Sequence, residues 1–304
     1  MDPVPEGDTV WLASKRMNDA LAGRVLTTFD LRVPRHATAD LTGRPVLAVL
    51  ARGKHMLTRV DGGLTLHTHF RMDGRWQLVR AGERWRGGPA HQVRAVLANS
   101  VWQAVGYLLH DVRLLRTSDE REVVGHLGPD LLGPDWDPAE AVRRLAAQPD
   151  REIGQALLDQ RLLAGIGNLY KAETLFLSGV SPFDPVGAVG DLGRIVGRAH
   201  RLLLANRDHP EQSTTGSLRR GESHWVYGRA RQPCRRCGTT VERRDQGERI
   251  TFWCPHCQPT ATQPPDRPNP GENRDPGLSI RPGAARHPHA TNPADAADPE
   301  SQEA

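Results

Sequence analysis

Residues 234–257 read CRRCGTTVERRDQGERITFWCPHC and contain all four cysteines of the 304-residue chain. The cysteines form two C-x2-C pairs, Cys234 with Cys237 and Cys254 with Cys257, separated by sixteen residues. Tetrahedral zinc needs four soft ligands that converge on one point, and two such pairs on facing hairpins provide them. Two disulfides or four unrelated thiols are the alternatives. The stretch predicts a zinc ribbon with one structural Zn2+.

The predicted ribbon is basic. Residues 215–257 contain nine arginines against four acidic residues. Arginine beside aromatic side chains on a small zinc module is typical of nucleic-acid contact, and a solvated structural ribbon is the alternative. His256 lies inside the second cysteine pair, and we expect it to be a bystander because four cysteines already complete the metal shell.

Charge is distributed unevenly along the chain. The whole sequence has 40 Lys plus Arg against 36 Asp plus Glu, a net charge of +4. Residues 258–304 contain four arginines and seven acidic residues, so the preceding 257 residues carry +7. This end also contains ten of the 24 prolines and no aromatic residue, a composition that cannot repay the entropy of ordering. We predict a disordered, Pro-rich acidic tail at 259–304.

The sequence contains no signal for secretion or membrane insertion. No window approaches the roughly 18 consecutive apolar residues of a transmembrane helix, and the N-terminus MDPVPEGDTV has neither a basic nor an apolar signal-peptide region. These features predict a cytoplasmic protein that is not secreted and does not contact a membrane, and the nucleic-acid contact indicated by the basic ribbon would associate it with the nucleoid. In such a compartment disulfides are disfavoured.

Hydrophobic periodicity divides the rest of the chain into two parts. A short helical pattern at 10–21 precedes many short strand-like runs, separated by turns such as Asp61-Gly62-Gly63 and Asp73-Gly74. From about residue 130 the period becomes helical, and Asp137-Pro138-Ala139-Glu140 is a helix start with a cap, a first-position proline and an early acid. Strands followed by helices indicate a segregated α+β fold.

The predicted architecture is therefore an N-terminal antiparallel β-sandwich at 1–120, a helical domain at 121–225 and a zinc ribbon at 226–258. The strand-like runs are 24–31, 45–51, 55–60, 64–68, 75–80, 91–97 and 100–108. The helical runs are 142–147, 153–159, 169–177 and 192–205.

Five short motifs occur in a fixed order along this architecture. They are Pro5-Glu6-Gly7, RGKHML at 52–57, LAGIGNLY at 163–170 with Glu173 beyond it, VYGR at 226–229, and RITFWC at 249–254 followed by Gln258. Together they resemble the formamidopyrimidine-DNA glycosylase and endonuclease VIII family of base-excision enzymes over nearly all of residues 5–258. Glycine after Pro5-Glu6 makes this N-terminal motif similar to that of the endonuclease VIII branch, which favours oxidised pyrimidines.

The resemblance implies a bifunctional DNA glycosylase and AP lyase that works through a Schiff base and β,δ-elimination. It implies that the amine of Pro5 is the nucleophile, since a secondary amine can displace the damaged base and form an iminium. It implies that Glu6 is the general acid and base. Taken singly, Pro5 fits a turn proline and Glu6 fits a first-turn helix acid.

Lys54 matches a family lysine that contacts the phosphate beside the lesion and supports catalysis; its alternative is a solvated strand lysine. The chain has three lysines, Lys15, Lys54 and Lys171, against 37 arginines. A retained lysine indicates that a compact charge or a titratable amine is needed at its position.

The resemblance also implies a set of DNA-binding residues: Asn168, Arg249, Met72 and Glu173. Asn168 would start the second helix of a helix–two-turns–helix element and bind phosphate there, and Arg249 would reach the same phosphates from the ribbon. Met72 would fill the void left by the flipped base, unless it is a core or hairpin methionine. Glu173 would bind DNA near these residues or would position the helix pair. His67 and His69 share a strand face, and two histidines without a third ligand are more often structural.

The start of the chain conflicts with this chemistry, because the nitrogen of Pro5 is a tertiary amide when Val4 precedes it. We expect Val4 to be the true initiator, read as Met from a GTG codon, whose removal exposes Pro5. The expected partner is double-stranded DNA with an oxidised base or an abasic site, bound by a monomer. A catalytically silent DNA-binding protein on the same scaffold, and an unrelated basic zinc-ribbon protein, are the alternatives.

Overall fold

The structure is a computed structural model that describes residues 5–261. Met1–Val4 and the greater part of the predicted tail, from residue 262 onward, lie outside the described residues. The Val4 start and the tail's disorder therefore stay predictions. Within residues 5–261, none of the helices is long and apolar enough to cross a lipid bilayer.

The N-terminal part consists of one helix and two antiparallel four-stranded sheets, as predicted. Helix α1 (Gly7–Leu21) precedes eight strands. One sheet has the order β1-β6-β7-β5 and the other the order β2-β3-β4-β8. The strands are β1 (Thr28–Leu31), β2 (Val46–Arg52), β3 (His55–Val60), β4 (Leu64–His69), β5 (Arg75–Arg80), β6 (Val93–Ala98), β7 (Trp102–Tyr107) and β8 (Asp111–Arg116).

A single apolar core joins α1 to both sheets. It includes Met17 and Leu21 from the helix, Met56 and Leu66 from one sheet, and Leu97 from the other, all essentially inaccessible to solvent. Strand β8 was not predicted. It is an edge strand that pairs only with β4 and leaves its side chains half exposed, so its sequence DVRLLR lacks the alternation that marks a buried strand.

The second part is helical, and its helices meet around a separate core. The helices are α2 (Arg121–Val124), α3 (Pro138–Ala146), α4 (Ile153–Leu158), α5 (Asn168–Ser178) and α6 (Leu192–Asn206). Asp137 caps α3 as predicted, because its carboxylate accepts hydrogen bonds from the backbone of Ala139 at 2.9 Å and Glu140 at 3.0 Å. The predicted α+β fold is confirmed.

The last part is a two-stranded hairpin of β9 (Glu242–Gln246) and β10 (Arg249–Trp253) beside the cysteine pairs. The four Sγ atoms all lie within 4.8 Å of one another, with Cys234 and Cys257 3.9 Å apart and Cys237 and Cys254 3.5 Å apart. Zinc–sulfur bonds of about 2.3 Å in a tetrahedron place sulfurs roughly 3.8 Å apart. The four thiols therefore fit one zinc ion, which stabilises the hairpin.

Zinc removal should unfold this ribbon while leaving the β-sandwich folded, because the two parts have separate cores. We expect Cys237→Ser to lower the zinc content well below one ion per chain and to abolish protection of the β9–β10 amides in hydrogen exchange. His256→Ala is the matched control, since His256 lies between the same cysteines. Loss of zinc from that variant as well would contradict a four-cysteine site.

Candidate active site

One cleft collects residues that are widely separated in the sequence. Pro5 and Glu6, Lys54, Met72, Asn168 and Arg249 all line it, between the sandwich, the start of α5 and the β9–β10 hairpin. The structure thus brings together six of the predicted functional residues. The zinc cysteines and Glu173 lie outside the lining of the cleft.

The carboxyl group of Glu6 lies against the N-terminal end of α5. It is 1% exposed, and its oxygens accept hydrogen bonds from the backbone N–H of Gly167 and of Leu169, each at 2.7 Å. The backbone of Gly7 donates to the carbonyl of Gly165 at 2.8 Å, so the loop before α5 wraps around the start of α1. A helix N-terminus favours a carboxylate. The carboxyl of Glu6 accepts hydrogen bonds from N–H groups at the start of α5 that have no partner within the helix.

Glycine is required where this loop approaches Glu6. A Cβ atom on Gly167 would lie 2.4 Å from Cδ of Glu6. A side chain at this position would therefore displace the carboxyl group from the helix start.

Burial dominates the acidity of Glu6. It raises the pKa of the carboxyl to about 7, an effect that the charge of Lys54 and the backbone hydrogen bonds oppose and the charge of Asp8 assists. A carboxyl with this pKa can both donate and accept a proton near neutral pH, which is the property that a general acid and base needs.

Lys54 lies on the turn between β2 and β3, held from the helical part of the chain. The preceding residue, Gly53, has φ +56° and donates its N–H to the carboxylate of Asp130 at 2.7 Å. Burial lowers the pKa of the Lys54 ammonium, and the charge of Glu6 opposes that change. Lys54 is thus placed as a cation whose charge is felt by Glu6.

Asn168 and Arg249 lie on opposite sides of the contact between α5 and the ribbon. The side-chain amide of Asn168 donates to the carbonyl of Ile250 at 2.9 Å, which joins the start of α5 to β10. Arg249 extends across the cleft, and its Nη1 lies 3.3 Å from Sδ of Met72. Arg249 and Met72 both line the cleft, although they are 177 residues apart in the sequence.

Met72 lies on an exposed turn and not in the core. Its side chain is 61% exposed, between Arg71 and Asp73. Arg71 has φ +57°, and its N–H donates to Nδ1 of His69 at 3.0 Å while its guanidinium donates to Asp111 at 2.8 Å. These contacts hold the turn in a shape that directs an apolar side chain into the cleft.

Glu173, for which DNA contact was predicted, is fully buried in this structure and faces the protein's own backbone. Its carboxylate accepts hydrogen bonds from the backbone N–H of Trp225, Val226 and Tyr227 at 2.8–2.9 Å, and from the hydroxyl of Thr214. Glu173 therefore organises the segment that leads from α6 into the ribbon. The family resemblance had left open whether Glu173 contacts DNA or positions the helix pair, and the packing favours a positioning role.

His67 and His69 belong to a histidine cluster with His55. Nδ1 of His55 and Nε2 of His67 lie 2.8 Å apart. Burial lowers the pKa of His55 to about 2 and of the other two to about 4, so all three are neutral at pH 7. Within residues 5–261 the cysteines are the one group of three or more ligands whose atoms converge. Of the three histidines, His69 also lines the cleft.

Several cleft residues were not singled out from the sequence. Tyr227 comes from the VYGR motif, while Arg151 and Gln155 come from the region where α4 starts. The motif was a usable signal for Tyr227. Arg151 and Gln155 have no local signal, because their place in the cleft depends on how α4 packs.

Sequence models of three known domain families match the chain in order. They are the formamidopyrimidine-DNA glycosylase N-terminal domain at residues 4–125, the formamidopyrimidine-DNA glycosylase H2TH domain at 127–192, and the zinc finger found in FPG and IleRS at 231–260. The last match agrees with the zinc geometry of the four cysteines.

Curated relatives each match 84% of the chain. A probable endonuclease 8 2 from Streptomyces coelicolor is 59% identical over 261 residues, 84% of this chain and 94% of the relative. A DNA-(apurinic or apyrimidinic site) lyase Nei2 from Mycolicibacterium smegmatis is 46% identical over 84% of this chain and 99% of the relative. Endonuclease 8 from Escherichia coli is 29% identical over 84% of this chain and 100% of the relative.

Solved structures show the same fold. Formamidopyrimidine DNA glycosylase from Lactococcus lactis, bound non-covalently to DNA containing an AP site, has a TM-score of 0.71 at 20% identity, over 84% of this chain and 99% of that one. The family match over the two large domains and the ribbon, with a relative at 59% identity, establishes the kinship. The chain belongs to the formamidopyrimidine-DNA glycosylase and endonuclease VIII family.

Proposed function

We propose that this DNA glycosylase and AP lyase of base-excision repair excises oxidised pyrimidines from double-stranded DNA, with Pro5 as nucleophile and Glu6 as general acid and base. The observation that carries the proposal is the buried Glu6 carboxyl on the start of α5, adjacent in sequence to Pro5 and in one cleft with Lys54. The preference for pyrimidines rests on Gly7 after Pro5-Glu6, which is similar to the endonuclease VIII branch.

The chemistry begins at the sugar of a damaged nucleotide that has left the base stack. The secondary amine of Pro5 forms a bond to C1′ while the bond from C1′ to the base breaks; the base leaves with that electron pair and takes up the proton that the amine loses. Glu6 then gives its proton to the ring oxygen as the bond from C1′ to that oxygen breaks, which opens the sugar and leaves an iminium between Pro5 and C1′. The resulting iminium acidifies the 2′ proton. Removal of that proton expels the 3′ phosphate, and a second elimination expels the 5′ phosphate.

The other cleft residues would hold the DNA. Lys54, Asn168 and Arg249 supply an ammonium, an amide and a guanidinium to the backbone phosphates beside the lesion. Met72 would enter the space that the flipped nucleotide leaves. The zinc ion supplies no step; four cysteine ligands would hold it and keep the Arg249 hairpin folded. One chain provides every residue used, so we propose a monomer, acting in the cytoplasm at the nucleoid where its DNA lies.

The test is borohydride trapping on duplexes that contain thymine glycol or an abasic site. Protein that begins at Pro5 should form a covalent complex with both duplexes, because its secondary amine is free. Protein that begins at Met1 should form little, since the nitrogen of Pro5 is then an amide. Absence of a complex from the Pro5 protein would favour the alternative of a silent DNA-binding protein.

Glu6→Gln should separate the two activities. Loss of a general acid costs about 10²–10⁴-fold in base release, whereas cleavage at a pre-formed abasic site needs no departure of a base and should fall less. Because the pKa of Glu6 is about 7 and the acid form is required, base release by the unaltered protein should decline as pH rises through about 7. Single-turnover rates across pH measure both effects.

Glu83→Gln is the matched control for this experiment, since Glu83 is an exposed glutamate on the loop after β5. It should leave the pH profile of base release in place. An unchanged rate of base release by Glu6→Gln would contradict the role of Glu6.

Gly167→Ala should reduce base release by a similar factor without preventing folding. The added Cβ would meet Cδ of Glu6 at 2.4 Å and move the carboxyl from the helix start. Gly190→Ala is the control, because nothing lies within 4 Å of a Cβ there. Rates measured beside thermal melting curves decide the outcome, and equal rates for the two variants would show that the placement of Glu6 is unimportant.

A further inference from the structure

A second acid is buried beside Glu6, and the proposed chemistry does not use it. Asp8 lies on the first turn of α1 and is 2% exposed. One of its carboxylate oxygens accepts the hydroxyl of Tyr170 at 2.6 Å, and both accept the side-chain amide of Gln212 at 3.1 Å. A buried carboxylate is costly unless it is hydrogen-bonded, and these two donors come from distant parts of the chain.

Tyr170 contacts both acids. Its phenol donates to Asp8, and its backbone N–H lies 3.4 Å from an oxygen of Glu6. Burial and the charge of Asp8 hold the pKa of the Tyr170 phenol well above 10, so the hydroxyl stays protonated and continues to donate. Tyr170, at the start of α5, thus connects the carboxyl group of Glu6, which precedes α1, with that of Asp8 in the first turn of α1.

Gln212 extends this connection to the segment after α6. The neighbouring Ser213 is bonded through its N–H to the side chain of Asn206 at 2.7 Å, and Thr214 is bonded to the buried Glu173. The position of Asp8 is therefore determined from two sides, by α5 and by this segment. A solvent-exposed acid that only favoured the helix dipole of α1 would need neither partner, whereas the buried Asp8 is held by both.

We propose that Asp8 is a positioning residue for Glu6. Through Tyr170 it holds Glu6 against the start of α5, and through Gln212 it fixes the position of Glu6 relative to the segment after α6. The proposal rests on the function assigned above to Glu6. Burial raises the pKa of Asp8 itself, and the hydrogen bonds from Tyr170 and Gln212 oppose that change. In its ionised form Asp8 also acts electrostatically, because its negative charge favours the neutral form of the neighbouring Glu6 carboxyl.

Other groups face the two acids from the surrounding elements. Lys54 from the β2–β3 turn favours ionised Glu6. Lys171 and Tyr170 on α5 and Tyr227 before the ribbon also feel the charge of Glu6. The charge of Asp8 raises the pKa of Glu6, as burial does, so removal of that charge should lower the pKa of Glu6.

The experiment compares Asp8→Asn, Asp8→Glu and Tyr170→Phe in single-turnover base release across pH, using the protein that begins at Pro5. Asp8→Asn should move the decline in rate to lower pH by roughly one unit, because the charge that favours neutral Glu6 is gone. Under steady-state turnover it should also lower kcat at least tenfold with KM for the duplex nearly unchanged. Asp8→Glu, which keeps the charge, should restore the position of the decline.

Tyr170→Phe keeps the ring in the core and removes only the hydroxyl, so it should lower kcat without changing KM even if Asp8→Asn fails to fold. Asp184→Asn is the control, since Asp184 is also buried but its carboxylate binds the backbone of Ala261. Either of two results would overturn the proposal. One is an Asp8→Asn protein with a lower melting temperature but an unchanged pH profile, and the other is a Tyr170→Phe protein with a lower melting temperature but a normal kcat.

Borohydride trapping on a pre-formed abasic site distinguishes this result from failure of the proposed function. Asp8→Asn should still be trapped there, because Pro5 is intact and no base has to leave. If the unaltered protein is not trapped, the function assigned to Pro5 fails whatever the Asp8 variants show.

Discussion

The contact between the Glu6 carboxyl and the first N–H groups of α5 is the interaction on which the rest of the site depends. It joins the first turn of the chain to a residue more than 160 positions later. A helix N-terminus attracts a carboxylate, while complete burial favours the neutral acid. Burial outweighs the helix N-terminus and raises the pKa of Glu6 to about 7, so the carboxyl can exchange its proton near neutral pH.

Other contacts position the sandwich, the helical part and the ribbon around the cleft. Asp130 accepts the N–H of Gly53 and so places Lys54, and the Asn168 amide holds β10 against the start of α5. On the remaining side, the zinc-bound cysteines keep the Arg249 hairpin folded. The two hydrogen bonds join different parts of the chain and the cysteines act within the ribbon, so the cleft has a defined geometry although the core of the sandwich does not extend into the helical part.

Much of this arrangement could be predicted from local pattern. The cysteine spacing identified a zinc ribbon because four soft ligands in two pairs serve few other purposes. Asp137 and Pro138 predicted the start of α3, and the alternation of apolar residues predicted most strands. Strand β8 escaped because an edge strand has no fully buried face, and Glu173 was assigned to DNA although its side chain is turned into the protein.

The sequence by itself determined the family, the α+β architecture and the residue types that carry the chemistry, because motifs and periodicities are properties of neighbouring residues. Only the tertiary structure decided that Glu6 is buried on a helix start, that Asp8 shares Tyr170 with it, and that Arg151 and Gln155 reach the cleft. Burial and proximity arise when segments far apart in the chain pack together. Acidity depends on that packing, so the protonation chemistry of this site could not be inferred from the order of its residues.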